Sequence, residues 1–305
     1  MTKPLVSIVL ASYNGEKYIE QQLKSIAAQT YANLEIIISD DNSTDGTREI
    51  IAAFAKADKR ARVIFNEQNK GYNKNFESAF LIASGDFIAI ADQDDVWVPE
   101  KIEEQMKLFT SEDVLLVHSA SVRFNCGGEL PQKIRSSAKL FEGSDVLKLA
   151  LRNSVSGHNI IFRKSLLNNT LPFPGDTFYD WWLVQNAAAT GIVAASNKVY
   201  VYQRAHDQNV TIRERTTKNQ TAEEYEERKA ALNNFLQIKG LKEQDRKILS
   251  ELREKYLLLE SSSYSEDLFR FFMKHRHRLF FYKRGPISYF SHKKTAKRMS
   301  FREKE

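Results

Sequence analysis

Phe87-Ile88-Ala89-Ile90-Ala91 runs directly into Asp92-Gln93-Asp94-Asp95, and this stretch decides the fold. Its first five residues are apolar throughout, the pattern of a strand covered on both faces. Its last four put three carboxylates where that strand ends. Earlier segments repeat the arrangement: Leu5–Leu10 stops at Ala11-Ser12-Tyr13-Asn14-Gly15, and Leu34–Ser39 stops at Asp40-Asp41-Asn42-Ser43-Thr44-Asp45-Gly46. A further strand is expected over Val63–Asn66. Between these segments the apolar spacing becomes helical. Ile19, Leu23 and Ile26 recur at +4 and +3, Ile50, Ile51 and Phe54 mark a second helix, and Lys74–Ala83 a third. Pro99 opens a fourth, with Ile102, Met106 and Phe109 on one side. Strand and helix alternating in this way predict an α/β fold, a mostly parallel Rossmann-like sheet flanked by helices, with ligands at the carboxyl ends of the strands.

After Val114–Phe124 the rhythm breaks. Residues 125–215 mix short strands, loops and one compact helix beginning near Asp180, and beyond Thr216 helical spacing takes over, as in Leu249, Leu252, Tyr256 and Leu259. A boundary is expected near 216, between a body over 1–215 and a helical region over 216–305.

Composition narrows the class. Of 305 residues 42% are hydrophobic and 28% charged, enough apolar material for a sizeable core. No apolar run is long enough to span a membrane, and no signal-peptide core follows Met1. A single cysteine, Cys126, excludes a disulfide framework and a cysteine-based zinc site. The absence of Gly-x-Gly-x-x-Gly after the first strand argues against a dinucleotide oxidoreductase. Charge is unevenly placed: 45 basic against 39 acidic residues overall, but 12 against 2 from Arg270 to Glu305. There Phe271, Phe272, Phe280, Phe281 and Tyr282 interleave with Arg276, Arg278, Lys283 and Arg284, a mixture suited to an anionic membrane surface; no nucleic-acid partner is expected.

The acidic clusters carry the chemistry. Asp92, Asp94 and Asp95 repel one another unless a cation neutralises them, and a hard divalent ion prefers such oxygens. A solvated turn capping the next helix is the plainer reading. The cluster also fits an Asp-x-Asp-x-Val phosphatase nucleophile, although there the motif normally follows the first strand of the sheet. Asp40 or Asp41 can accept the imide N–H of uracil or thymine, or simply cap a turn.

Val6–Gly15, Ser25–Thr30, Asp40–Thr47, Asn69-Lys70-Gly71 with Asn75, Ala83–Asp86 and Ala91–Asp95 together, and in this order, resemble glycosyltransferase family 2 over roughly residues 4–210. The resemblance implies a GT-A fold, with a nucleotide-sugar half over about 1–124 and an acceptor half over about 125–215. It also implies an inverting mechanism, a nucleotide-diphosphate sugar donor and a Mn²⁺ or Mg²⁺ ion. By position, Ser12, Tyr13 and Asn14 would line the nucleotide pocket, with Asp40 or Asp41 on the base. Asn69 and Lys74 would lie near the donor, with Gln93 beside it; Asp92 would face ribose or metal, and Asp94 and Asp95 would serve the ion and diphosphate. Tyr179-Asp180-Trp181-Trp182 resembles the catalytic-base segment, with Asp180 as base and both tryptophans either in the core or stacked on acceptor sugar. The Asp-Trp-Trp form is similar to a rhamnosyltransferase-like branch, implying dTDP-L-rhamnose as donor, with UDP-linked hexoses or N-acetylhexosamines as alternatives. His206 would return to the metal or diphosphate, and His158 lies on the acceptor side. The implied acceptor is a saccharide or lipid-linked saccharide of a bacterial surface polysaccharide. The enzyme is then expected in the cytoplasm, peripheral to the inner face of the plasma membrane.

Overall fold

The computed structural model describes residues 3–132, 135–206, 220–260, 262–283 and 288–301. Eight strands form one sheet: β1 (Val6–Ser12), β2 (Leu34–Asp40), β3 (Ala61–Phe65), β4 (Phe87–Asp92), β5 (Val96–Trp97), β6 (Val114–Asn125), β7 (Ile160–Arg163) and β8 (Ile192–Ala205). They lie in the order β3-β2-β1-β4-β7-β6-β8-β5. The half built from β3, β2, β1 and β4 is parallel, as the alternating pattern predicts. The other half is mixed, because β7 runs antiparallel to both β4 and β6, and β5 antiparallel to β8. Among its described residues the chain between β6 and β7 forms no α-helix, the usual element of a parallel crossover, and β7 returns antiparallel.

Helices α1 (Ile19–Ala27) and α2 (Thr47–Ala57) cover one face of the parallel half, and α3 (Tyr72–Ile82) covers the other. Alternation along the strands sorts their residues between the two layers. Ile8, Leu10, Ile36 and Ile38 meet Ile19, Leu23 and Ile51, whereas Val9, Ile37, Ile88 and Ile90 meet Phe76, Ala79 and Phe80. Beyond the parallel half come α4 (Lys101–Met106), α5 (Leu167–Thr170) and α6 (Tyr179–Thr190), the last buried almost all round.

The C-terminal region comprises α7 (Gln220–Phe235), α8 (Glu243–Leu257), α9 (Glu266–Lys274), α10 (Arg276–Leu279) and α11 (Ser288–Met299). The boundary expected near 216 falls outside the described residues, but the core runs across it. Leu232, Phe235, Leu252, Tyr256, Leu268, Phe271, Phe272 and Phe280 join the layer that contains α3 and α6. Phe235 meets Trp181 edge-on at 5.4 Å, and Arg278 bonds Asp145 at 2.6 Å and Asp245 at 2.8 Å. The helical region is therefore a buttress of the body. Each large apolar side chain buried there contributes about 1.5–3 kcal/mol, against roughly 5–15 kcal/mol for a whole domain. A chain ending at Ser265 should accordingly lose its cooperative thermal transition or melt far below the full-length protein by circular dichroism. Equal midpoints would show the last helices to be independent.

Candidate active site

The register of the parallel strands assembles one edge. Ser12 pairs with Asp40 across β1 and β2, and Ala11 with Asp92 across β1 and β4. The chain leaves β1 toward β2 on one side and later returns to its other side as β4, so a crevice opens at this reversal. Ser12 is buried and donates to Asp40 Oδ2 at 3.1 Å. Tyr13 is exposed, but its backbone is clasped by Gln93: its N–H donates to Oε1 and its carbonyl accepts from Nε2, each at 3.0 Å. Asn14 adopts φ 48° and accepts the Thr44 N–H on its side-chain oxygen. The first and second strand-end loops are thus one unit.

Asp40 and Asp41 are both buried and already engaged. Arg48 donates to Asp40 at 2.7 Å, with the Ser43 N–H and hydroxyl completing its shell. Asp41 accepts the N–H groups of Lys70 and Gly71, both at 2.9 Å, and the Asn66 amide. Its carboxylate therefore folds the 66–71 loop and sets the start of α3. Asn69, on the exposed part of that loop, accepts from Gly71 N–H. Lys74 lies exposed on α3, paired with Glu77 at 2.9 Å.

Asp94 and Asp95, expected to act together, face different ways. Asp94 meets His206, Oδ2 to Nε2 at 2.7 Å, and Tyr18 stacks on that imidazole at 4.4 Å. His206 does return to the acidic loop. Asp95 points inward with its side chain 1% exposed; His158 Nδ1 lies 3.5 Å from it and 3.3 Å from Asp92. His158, expected on the acceptor side, thus sits against the acidic cluster. Burial pushes the Asp95 carboxyl up, with the His158 charge pulling it back, while Asp95 and Asp92 push the imidazole up against the effect of its own burial. Asp92, Asp95 and His158 bring three ligand atoms within 4.8 Å of one another. Asp95 Oδ2 is buried and accepts no hydrogen bond, an oxygen left for a cation. Two carboxylates and an imidazole fit the oxygen and nitrogen preferences of Mn²⁺.

Asp180 stands in the first turn of α6, half-buried. Its Oδ1 accepts from Trp181 N–H at 2.7 Å and its Oδ2 from Gly157 N–H at 3.0 Å. Burial pushes its carboxyl up to about 6, despite those two donors. The tryptophans decide between their two readings. Trp181 and Trp182 are 4% and 7% exposed, and their indole N–H groups donate to the Leu149 and Thr170 carbonyls. Neither offers a ring face to a sugar, which corrects their assignment to the acceptor side.

Several contributing residues carry no signal strong enough to find from the sequence. Arg48 is one helical charge among many until it reaches Asp40. Arg204 donates its backbone N–H to Asp95 and its guanidinium to the Asp94 carbonyl; its place two residues before His206 is the one hint. Lys101 is wholly buried with its ammonium 3.4 Å above the Trp97 ring, and that burial holds its pKa well below the usual lysine range.

The sequence model of Glycosyl transferase family 2 matches residues 7–171, more than half of the chain, and the protein belongs to that family. It is 41% identical over 105 residues to the putative teichuronic acid biosynthesis glycosyltransferase TuaG of Bacillus subtilis, covering 34% of this chain and 42% of that one. It is 38% identical over 114 residues to the UDP-Glc:alpha-D-GlcNAc-diphosphoundecaprenol beta-1,3-glucosyltransferase WfgD of Escherichia coli, covering 37% and 44%. The matches thus span less than half of these curated relatives. Among solved structures, S. aureus TarS 1-349 in complex with UDP-GlcNAc superposes with a TM-score of 0.65 at 18% identity, covering 96% of this chain and 90% of that one. The mannosyltransferase PcManGT of Pyrobaculum calidifontis, with GDP-Man and Mn2+, gives 0.60 at 16%, covering 98% and 85%. This likeness is one of fold, and the fold is GT-A.

Calorimetric titration of the full-length protein with Mn²⁺ should show binding that weakens in Asp95→Asn by more than the ~10-fold that even outer partners of a metal site are worth. Unchanged affinity in that variant would remove Asp95 from the metal site.

Proposed function

We propose that the protein is an inverting, metal-dependent glycosyltransferase that moves a sugar from a nucleotide-diphosphate donor to a saccharide or lipid-linked saccharide acceptor. The observation that carries this reading is the neighbourhood of Asp180. A carboxylate of raised pKa hangs from Gly157 N–H, and the next residue, His158, touches the acidic cluster. Base and cluster are thus contributed by different chain segments and adjoin, as an attack from the face opposite the leaving group requires.

In this reading the loops after β1, β2 and β4 hold the nucleotide, with Ser12, Tyr13, Asn14, Asp40, Asp41 and Gln93 around it. Asp180 takes the proton of the acceptor hydroxyl as that oxygen bonds to the anomeric carbon. The bond from that carbon to the diphosphate oxygen breaks on the opposite face, its electron pair leaving with the nucleotide, so the configuration inverts. Asp92, Asp95 and His158 would hold the ion, with Asp94 and His206 beside them. A bound Mn²⁺ or Mg²⁺ supplies neutralisation of the departing diphosphate, help worth several kcal/mol.

Two donors remain in play. The Asp-Trp-Trp segment favours dTDP-L-rhamnose, whereas the relative WfgD is named for UDP-Glc. Uracil and thymine present the same imide edge and differ by one methyl, so a hydrogen-bond acceptor in these loops takes either. A thermal-shift panel of nucleotide sugars with Mn²⁺ separates them. A lipid-linked acceptor would be met at a membrane, and the basic C-terminal region is the part of the chain suited to an anionic one.

Asp180→Asn keeps the size of the side chain and part of its capping, and should leave donor binding nearly unchanged. Transfer should fall on the order of 10²–10⁴-fold, the usual worth of a general base. In the parent protein kcat/KM should decline as pH drops through about 6, where Asp180 takes up a proton and can no longer accept one. A variant retaining near-parental transfer under single-turnover conditions would make Asp180 a helix cap and overturn the mechanism.

A further inference from the structure

Helix α11 has two unlike sides. His292, Thr295, Ala296 and Met299 turn inward and are buried. Tyr289, Phe290, Lys293, Lys294, Lys297 and Arg298 turn outward and are exposed, two aromatic rings at one end and four cations along the rest. Phe290 is 69% exposed, the most of any large hydrophobic side chain among the described residues, and Tyr289 is 49% exposed. The surrounding charge reinforces the face: from Leu268 to Phe301 the sequence holds ten Lys and Arg and no acidic residue. Arg276, on the neighbouring helix, lies 5.7 Å from the Tyr289 ring and extends the patch. On the N-terminal side the nearest acids in sequence, Glu266 and Asp267, open α9, where Glu266 is taken up by Arg270 at 3.1 Å; on the C-terminal side Glu303 and Glu305 alternate with Arg302 and Lys304.

The aromatic residues that suggest a membrane contact from sequence alone are not the ones available for it. Phe271, Phe272, Phe280 and Phe281 are at most 4% exposed and belong to the core, and Arg278 faces inward to Asp145 and Asp245. Lipid contact through those rings would require unfolding. The outward face of α11 needs no rearrangement.

We infer that this face is the docking surface for an anionic lipid layer, with Tyr289 and Phe290 entering the interface and the lysines level with the headgroups. The inference rests on the reading of a lipid-linked acceptor, since that is what membrane contact would bring to the site. Charge complementarity selects the occupant. A nucleic acid would satisfy the cations equally, but the face carries no Asn or Gln to read bases. Its two rings also stand at 81° to each other, a poor platform for successive bases.

The test is sedimentation of the full-length protein with phosphatidylglycerol vesicles and with phosphatidylcholine vesicles. Binding is expected to the first and not the second, and should weaken as salt rises. The triple variant Lys293→Glu, Lys294→Glu, Lys297→Glu should lower the partition coefficient on the order of 100-fold, each lysine near an anionic surface being worth about fivefold. Phe290→Ser should weaken it further, with the melting point unchanged because all four side chains are exposed. Equal binding to both vesicles, or an unaltered partition in the triple variant, would overturn the assignment. So would an oligonucleotide that binds more tightly than the vesicles and is lost in the same variant. Transfer to a soluble acceptor analogue keeps this separate from the enzymatic reading. If transfer persists while vesicle binding disappears in the triple variant, docking is supported. If no acceptor is glycosylated while vesicle binding behaves as stated, the transfer reading fails and the docking surface stands.

Discussion

One backbone N–H connects the two halves of the candidate site. Gly157 donates to Asp180 at 3.0 Å, and the side chain of the very next residue, His158, reaches Asp92 and Asp95. Peptide geometry fixes the distance between adjacent residues, so the separation of the carboxylate on α6 from the acidic cluster after β4 is set by a dipeptide with little freedom. Only glycine fits there, because a Cβ on residue 157 would lie 2.3 Å from the Tyr179 hydroxyl oxygen. Tyr179 in turn packs on Phe76 at 4.5 Å, which ties the arrangement to α3 and the sheet.

The electrostatics follow from that enclosure. Carboxylates taken out of water are costly unless paired, and the molecule meets the demand differently at each one. Asp40 is paired with Arg48, and Asp41 accepts hydrogen bonds from two backbone N–H groups and an amide. Both are settled, and their work is to hold loops in shape. Asp95 has His158 nearby yet keeps one oxygen without a hydrogen bond, and burial raises the carboxyls of Asp95 and Asp180 alike. Unresolved demand is thus concentrated on the side of the crevice where chemistry would occur, which is where shifted ionisation is most useful.

The C-terminal helices complete this design from outside. Helix α6 is buried on nearly every side, and without Phe235, Leu232 and the helices behind them one side would face water. Trp181 and Trp182 anchor it through their indole N–H bonds to carbonyls on two other segments. The position of Asp180 is therefore held by packing that begins more than fifty residues further along the chain.

The sequence by itself determined the parallel half of the sheet, its flanking helices, and the gathering of polar residues at strand ends. Those features follow from spacing within a few residues, and apolar runs of period 2 and 3.6 have few other ways to be buried. It also brought Asp92, Asp94, Asp95, Asp180 and His206 into consideration through their order along the chain. Only the tertiary structure decided which carboxylates stand together. Asp94 and Asp95 are neighbours in sequence, but consecutive side chains leave the backbone in different directions, so one meets His206 and the other His158. The same limit applies to the tryptophans, to Lys101 and to the tail phenylalanines. A residue type states what a side chain prefers, but whether it reaches water, a charge or a ring depends on segments that folding brings together from far apart.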